Sequence, residues 1–333
     1  MLDRLDREII HALHLDGRAP FRRIADVLGV SPQTVARRYR ALRSTAGLRV
    51  VGLPEPDRVG LARWIVRLTA APATAGELAH ALARRSDTSW VRLASGGTEI
   101  VAVVTAPVAP TGSPSLLLHD IPRTSSVAAV SAHCLLHIYL GGPSAWAGRV
   151  DALAPGQQER LQPERISAPA EPVGLTEADS GLLEVLSRNG RAGYGELAAA
   201  TGWSASAVAR RLDELRAAGA VFFDVEVDDA QLGVFTRAML WMTVAPAHLD
   251  RVALALAGHP ELAFVAATTG LSNLVAQALC NNPGDLHGYL TRRLAFIDGI
   301  TTIETAPVLH TLKAVGPLAS APTGRSRSSR RSR

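Results

Sequence analysis

The chain has 333 residues, 47% of them hydrophobic and 20% charged, the balance of ordered globular units and enough length for roughly two to four of them. Its start, MLDRLDREIIHAL, alternates charged and apolar residues, and no later stretch stays apolar long enough to cross a bilayer; a signal peptide and a membrane-spanning protein are disfavoured and a cytoplasmic chain is expected. The formal charge of +5 argues little for nucleic acid, because Arg325, Arg327, Arg330, Arg331 and Arg333 in the run GRSRSSRRSR supply a charge of that size.

In chain order, Ile9, Ile10, Leu13 and His14 recur at helical spacing and Gly17 stops that helix. Pro20 opens a second helix, FRRIADVL, which Gly29-Val30-Ser31 breaks. PQTVARRYRALR then resumes with Ser31 as N-cap and Pro32 in the first turn. Ala25 at the contact, Gly29 at the turn and Val35 beyond it are the residue types that a steep helix-turn-helix crossing needs. Strands follow in LRVVGLP and WIVRLT, and the run VAPTGSPSLLLHDIPR, with Pro110, Pro114 and Pro122, holds a short helix at best.

Past residue 141 the chain becomes rich in Pro, Gly and Ala and reads as a linker with one helical turn around Gln157–Leu161. Then the opening pattern returns. Asp6 aligns with Asp179 and Arg43 with Arg216 without a gap; Ala198, Gly202 and Val208 repeat the turn chemistry. Gly60 falls opposite Gly233, WIVRLT opposite AMLWMT, and VSAHCLLH opposite IETAPVLH. A repeat that holds register through helices, loops and strands points to one unit duplicated in tandem. The second copy continues as strand 238–244, helix 249–258, strands 262–269 and 273–280, helix 286–297 and strand 300–310, a βαββαβ order.

The predicted fold class is α+β: two winged-type helix-turn-helix domains (1–50 and 174–222), each followed by a ferredoxin-like βαββαβ domain (60–141 and 234–315), arranged as an internal pseudo-dimer. Residues 142–173 are the expected linker and 316–333 an expected disordered basic tail, a candidate phosphate-binding arm. Alternating Trp64, Val66 and Leu68, and Met239, Trp241 and Thr243, predict that the two sheets face each other.

With Val35, Tyr39 and Leu42 turned inward, the third helix presents Gln33, Thr34, Arg37, Arg38 and Arg40, behind Ser31, to double-stranded DNA. The second copy presents Ser206, Arg210 and Arg211 behind Ser204. Asp213 and Glu214 make the second helix the weaker reader. Arg22 and Arg23 are further phosphate candidates, although an ordinary solvated face accounts for them equally well. Cys134 and Cys280, the only cysteines, lie in apolar strand-like runs and read as small buried hydrophobes. Gly-rich phosphate loops, metal-ligand clusters and nucleophile elbows do not occur, so no cofactor, metal or catalytic residue is expected.

A first helix ending in Asp-Gly-Arg, turns reading Gly-Val-Ser and Gly-Trp-Ser, and a βαββαβ module resemble the leucine-responsive/asparagine-type (Lrp/AsnC) regulators, over nearly the whole chain apart from linker and tail. The resemblance implies sequence-specific DNA binding, self-association through the βαββαβ (RAM-type) domains, and a small effector, often an amino acid, held near the loop joining the second and third strands. That loop usually reads Thr-Gly-x-x-Asp in the family. Here it reads Ser95-Gly96-Gly97-Thr98-Glu99 and Thr269-Gly270-Leu271-Ser272-Asn273, making Gly96, Thr98, Glu99, Gly270, Ser272 and Asn273 the effector candidates. Ordinary β-turns explain the same composition. Some proteins resembling this family decarboxylate a siroheme-type tetrapyrrole. That alternative needs clustered His, Arg or Tyr, for which His133, His137, Tyr139, His287, Tyr289 and His310 are the available groups. A metabolite-sensing accessory protein without DNA binding is the remaining alternative.

Overall fold

The computed structural model describes residues 2–108, 120–121, 124–142, 145, 147–163 and 174–318. The basic run after Leu318 and most of the Pro-rich stretch expected to hold a short helix lie outside the described residues.

The first helix-turn-helix comprises α1 (Arg4–Leu15), α2 (Phe21–Leu28) and α3 (Pro32–Thr45). Asp3 caps α1 and forms a reciprocal box with Asp6. Gly29 ends α2 at φ 68°, a conformation that a side chain disfavours, and Ser31 caps α3 by accepting from the Thr34 N–H. After β1 (Arg49–Pro54), the first βαββαβ unit contributes β2 (Leu61–Ala70), α4 (Pro72–Ala83), β3 (Thr88–Ala94), β4 (Glu99–Pro107) and β5 (Val127–Leu140).

The connecting segment is more ordered than its composition suggests. It holds α5 (Ala147–Val150) and α6 (Pro155–Leu161), and Val150, Leu153 and Leu161 are buried in the core of the first helix-turn-helix. Backbone N–H groups of Ala152 and Leu153 donate to His11 Nδ1, and Arg23 donates to the carbonyls of Arg160 and Gln162.

The second unit repeats the plan with α7 (Glu177–Arg188), α8 (Tyr194–Thr201), α9 (Ala205–Ala217) and β6 (Val221–Glu226). Then come β7 (Thr236–Val244), α10 (Leu249–Ala257), β8 (Leu262–Thr268), β9 (Leu274–Cys280), α11 (Pro283–Arg292) and β10 (Ile300–Lys313). Each βαββαβ unit forms its own antiparallel sheet, β3-β4-β2-β5 and β8-β9-β7-β10, and the sheets close into one barrel through β5–β8 and β10–β3. The strands that join them are the two longest, at 14 residues each. The first half of β5 pairs with β2 and its second half with β8; β10 divides likewise between β7 and β3. A strand shared in this way leaves neither sheet an open edge.

Helices cover the outside of the barrel, and its interior holds Ile65, Val101, Met239, Trp241, Ala266 and Val275. One face expectation needs correction. Trp64, Val66 and Leu68 pack outward with the core that includes Ala79, Leu82 and Ala83 of α4, and Ile65 turns toward the opposite sheet. The more apolar face of β2 takes the helix, while the face toward the opposite sheet carries Arg63 and Arg67 beside Ile65, each paired with glutamate. Both faces are covered, so alternation alone does not say which one meets helices.

Candidate functional site

Two regions gather chemistry: the helix-turn-helix pair and the interior of the barrel. The helix-turn-helix units are locked to each other. β1 and β6 form an antiparallel ribbon in which Val51 pairs with Asp224. Around it, Arg18 donates to the carbonyls of Gly190 (2.7 Å) and Ala192 (3.1 Å), and Arg191 donates to those of Gly17 (2.7 Å) and Ala19 (2.9 Å). The stacking partners correspond too, with Arg18 over Tyr194 and Arg191 over Phe21. Gly190 is required at this seam, because a Cβ there would meet the Val51 carbonyl carbon at 2.9 Å. The two units are therefore related by an approximate twofold running through the ribbon.

On α3, Gln33, Arg37 and Arg40 are exposed and Thr34 is half-buried against the Ser31 hydroxyl. Arg38 turns back to α1, within 2.7 Å of Asp3 and 3.4 Å of Asp6. Its counterpart Arg211 does the same more tightly, placing Nε and Nη2 each 2.9 Å from the fully buried Asp179 carboxylate. Burial pushes Asp179 up, but the Arg211 fork and Thr176 outweigh it and hold the carboxyl below its usual range. Arg38 and Arg211 thus brace helix junctions. Arg210 lies 3.7 Å from Glu214, an exposed pair, and Ser206 Oγ lies 3.0 Å from Ser204 Oγ. Arg23 is occupied by the connecting segment, while Arg22 is exposed.

The loops expected to hold an effector are drawn into internal contacts. Glu99 is buried, accepting from Arg67 and from Ser95 Oγ, and Arg67 also reaches Glu304 and stacks 4.6 Å from the Trp241 ring. Thr98 donates to the Ser95 carbonyl, and Gly96 provides the positive φ of the turn. In the second loop Gly270 sits at φ 106°, the Ser272 carbonyl accepts from Thr268, and the Asn273 side chain exchanges two hydrogen bonds with the Val244 backbone. This loop also docks on the other unit, where Thr269 accepts from the Cys134 N–H and bonds His133 Nδ1.

The rings available for acid–base work stay dispersed. His137 and Tyr139 meet edge-on at 4.6 Å, and Tyr139, bonded to Asp250, is pushed up to about 12 by burial and by that carboxylate. His259 pairs instead with Tyr289, whereas His287 and His310 are exposed. No group of three or more His, Cys, Asp or Glu suited to a metal occurs among the described residues. Cys134 is half-buried, Cys280 buried, and both thiols are free.

Sequence reasoning did not single out the groups at the ribbon end of the barrel. Two adjoining cavities, of about 370 Å³ and 440 Å³, share Trp90, Arg92, Asp224 and Gln277 in their walls. A bulge sets this end: Ser89 pairs with Val103 and Arg92 with Val101, leaving Trp90 in between at φ 50°. The available signal was an Arg inside the apolar run WVRLA (90–94), where the second copy has Ala266.

Residues 2–43 and 175–216 match the AsnC-type helix-turn-helix domain, and residues 237–318 match the Lrp/AsnC ligand binding domain. The HTH-type transcriptional regulator FL11 of Pyrococcus horikoshii is 30% identical over 142 residues, which is 93% of that protein and 42% of this chain. The chain belongs to the Lrp/AsnC family. The regulatory protein AsnC of Escherichia coli K12 is 28% identical and likewise covers 40% of this chain against 93% of its own, as expected where one Lrp/AsnC unit meets a chain carrying two. At full length the fold is shared with the siroheme decarboxylase NirDL: TM-score 0.60, 13% identity and 93% of both chains covered. No helix among the described residues is long and apolar enough to cross a membrane.

Proposed function

We propose that this Lrp/AsnC chain is a DNA-binding transcription regulator in which one polypeptide supplies both halves of a twofold reader. The reciprocal arginine clasp carries this reading. Two helix-turn-helix units joined by Arg18, Arg191 and the β1–β6 ribbon are held at one separation and one mutual orientation, the condition for reading two half-sites of fixed spacing. Gln33, Arg37 and Arg40 on α3, and Ser206 and Arg210 on α9, are the side chains offered to base edges and phosphate, with Ser31, Thr34 and Ser204 at the helix starts. Arg38 and Arg211 serve the reader by fixing its helices. Gel-shift titration of the full chain against the DNA flanking its own coding region tests the reading. Saturable binding that competing random duplex does not displace supports it, and displacement at equal mass of random duplex counts against it.

The full-length likeness to NirDL favours a second reading, a siroheme-type decarboxylase on the same fold. Arg92 and its cavities offer a cation for an acidic substituent, and His310 lines the larger of the two, but His133, His137 and His287 line neither. Absorption spectra with and without added tetrapyrrole separate the readings; a shifted Soret band followed by carbon dioxide release would favour the enzyme.

A further inference from the structure

The ribbon end of the barrel has the makings of a ligand site that neither the effector loops nor the DNA-facing helices account for. Arg92 is 4% exposed, yet no carboxylate among the described residues lies within ion-pair distance of it. Its Nη2 donates to Gln277 Oε1 at 2.8 Å, its Nη1 approaches Met239 Sδ at 3.7 Å, its carbon lies 4.8 Å from the Trp90 ring, and its Nε has no partner. A buried guanidinium with a donor unused is costly.

Neighbouring charges do not neutralise it. Arg63 is engaged by Glu55, Arg237 by Asp229, and Asp87 by Arg85. Of the other carboxyls in the two walls, Glu226 pairs with Arg49 and Asp228 accepts from the Ala230 N–H, while Asp224 accepts from its own strand's Val225 N–H and burial raises it to about 7. Beside this cation, Trp90, Phe222, Phe264 and Met239 line the cavity of about 370 Å³. The second copy places Ala266 at the Arg92 position, and the first places Val103 at the Gln277 position, so the polar pair occurs once per chain and breaks the pseudo-symmetry.

We propose that this cavity binds a small carboxylate with an aromatic or branched apolar body, its carboxylate meeting Arg92 and its body lying among the rings of Trp90, Phe222 and Phe264. Leu53, Pro54, Phe222 and Asp224 reach the cavity from the ribbon, so occupancy bears directly on the element that holds the two helix-turn-helix units together. That last consequence rests on the regulator reading; the binding itself does not.

The test uses calorimetric titration of the full chain with phenylpropionate, indoleacetate and isocaproate, each beside its neutral amide. At least one acid should bind about tenfold or more tighter than its amide, the worth of one charge-assisted contact. Arg92→Met should erase that preference, and Phe264→Trp, which fills the space without touching the charge, should block binding. Equal affinity for every acid and its amide, binding by none, or preference retained in either folded variant would overturn the proposal. DNA affinity is measured separately with and without the bound acid. Lost DNA binding with the acid preference intact defeats the regulator reading alone, and the converse defeats this site alone.

Discussion

Arg37 and Arg38 are adjacent and chemically identical, yet one faces solvent and the other is tied to α1. Helical spacing identified both as outward. What separates them is an acid near the start of α1, Asp6, whose proximity only the fold creates. The same holds for Arg210 and Arg211. Arg211→Ala should cost about 3 kcal/mol, because it strands the buried Asp179 carboxylate. Arg38→Ala should cost less than about 1 kcal/mol, since its partners are partly solvated. Arg37→Ala should leave stability unchanged but weaken specific DNA binding by about 1–3 kcal/mol. Urea melts and gel-shift titrations on the three variants check this ordering; an unstable Arg37→Ala, or one with full affinity and unchanged sequence preference, would contradict the assignment.

Two buried groups give opposite pH signatures. Burial lowers His14 to about 4, so the unfolded chain binds the proton first as pH falls. That contribution to stability is present above about pH 6.5 and drains away toward pH 4, by roughly 3 kcal/mol in all. Burial raises Asp224 to about 7, so here the folded chain binds the proton first, and its contribution is present at acid pH and lost as pH rises through about 7. Relative to the parent chain, His14→Leu should gain stability between about pH 6.5 and 4, whereas Asp224→Asn should lose it over the same window. Unfolding free energies measured across that range settle the point, and slopes of the same sign in both variants would contradict it.

Among the elements, the helix-turn-helix units were legible because short-range chemistry sets them: Gly29 and Gly202 at the turns, Ser31 and Ser204 at the caps. The βαββαβ order was legible from strand and helix periods. The closure of two sheets into one barrel was not, because it depends on β5 and β10 running past their own sheets, and length alone does not reveal a change of partner. The connecting segment was likewise hidden. Pro and Gly signalled a linker, while Val150, Leu153 and Leu161 are spaced too irregularly to announce a buried face. Leu161, fully buried against the first helix-turn-helix, supplies a check. Leu161→Ala should cost about 2–4 kcal/mol, and hydrogen exchange should locate the loss in α1 and α2. A change confined to the connecting segment would show that it is only laid against the surface.

For the whole molecule, fusion replaces association. Two separate Lrp/AsnC units must meet before they can read a twofold site, whereas here the second unit arrives at a high effective concentration and in one orientation. Fusion also frees the copies to diverge. Arg92 and Gln277 mark one divergence in the barrel. Asp213 and Glu214 mark another on α9, opposite Arg40 and Ala41 of α3. The DNA selected by this protein should therefore have two halves at fixed spacing but unequal information. Selection of bound duplexes from a random pool by the full-length protein measures both properties together. The expected result is enrichment of a two-part site whose spacing is constant, with one half tightly specified and the other loose. Failure to enrich any sequence from the pool would contradict it, as would enrichment of single half-sites at arbitrary spacing.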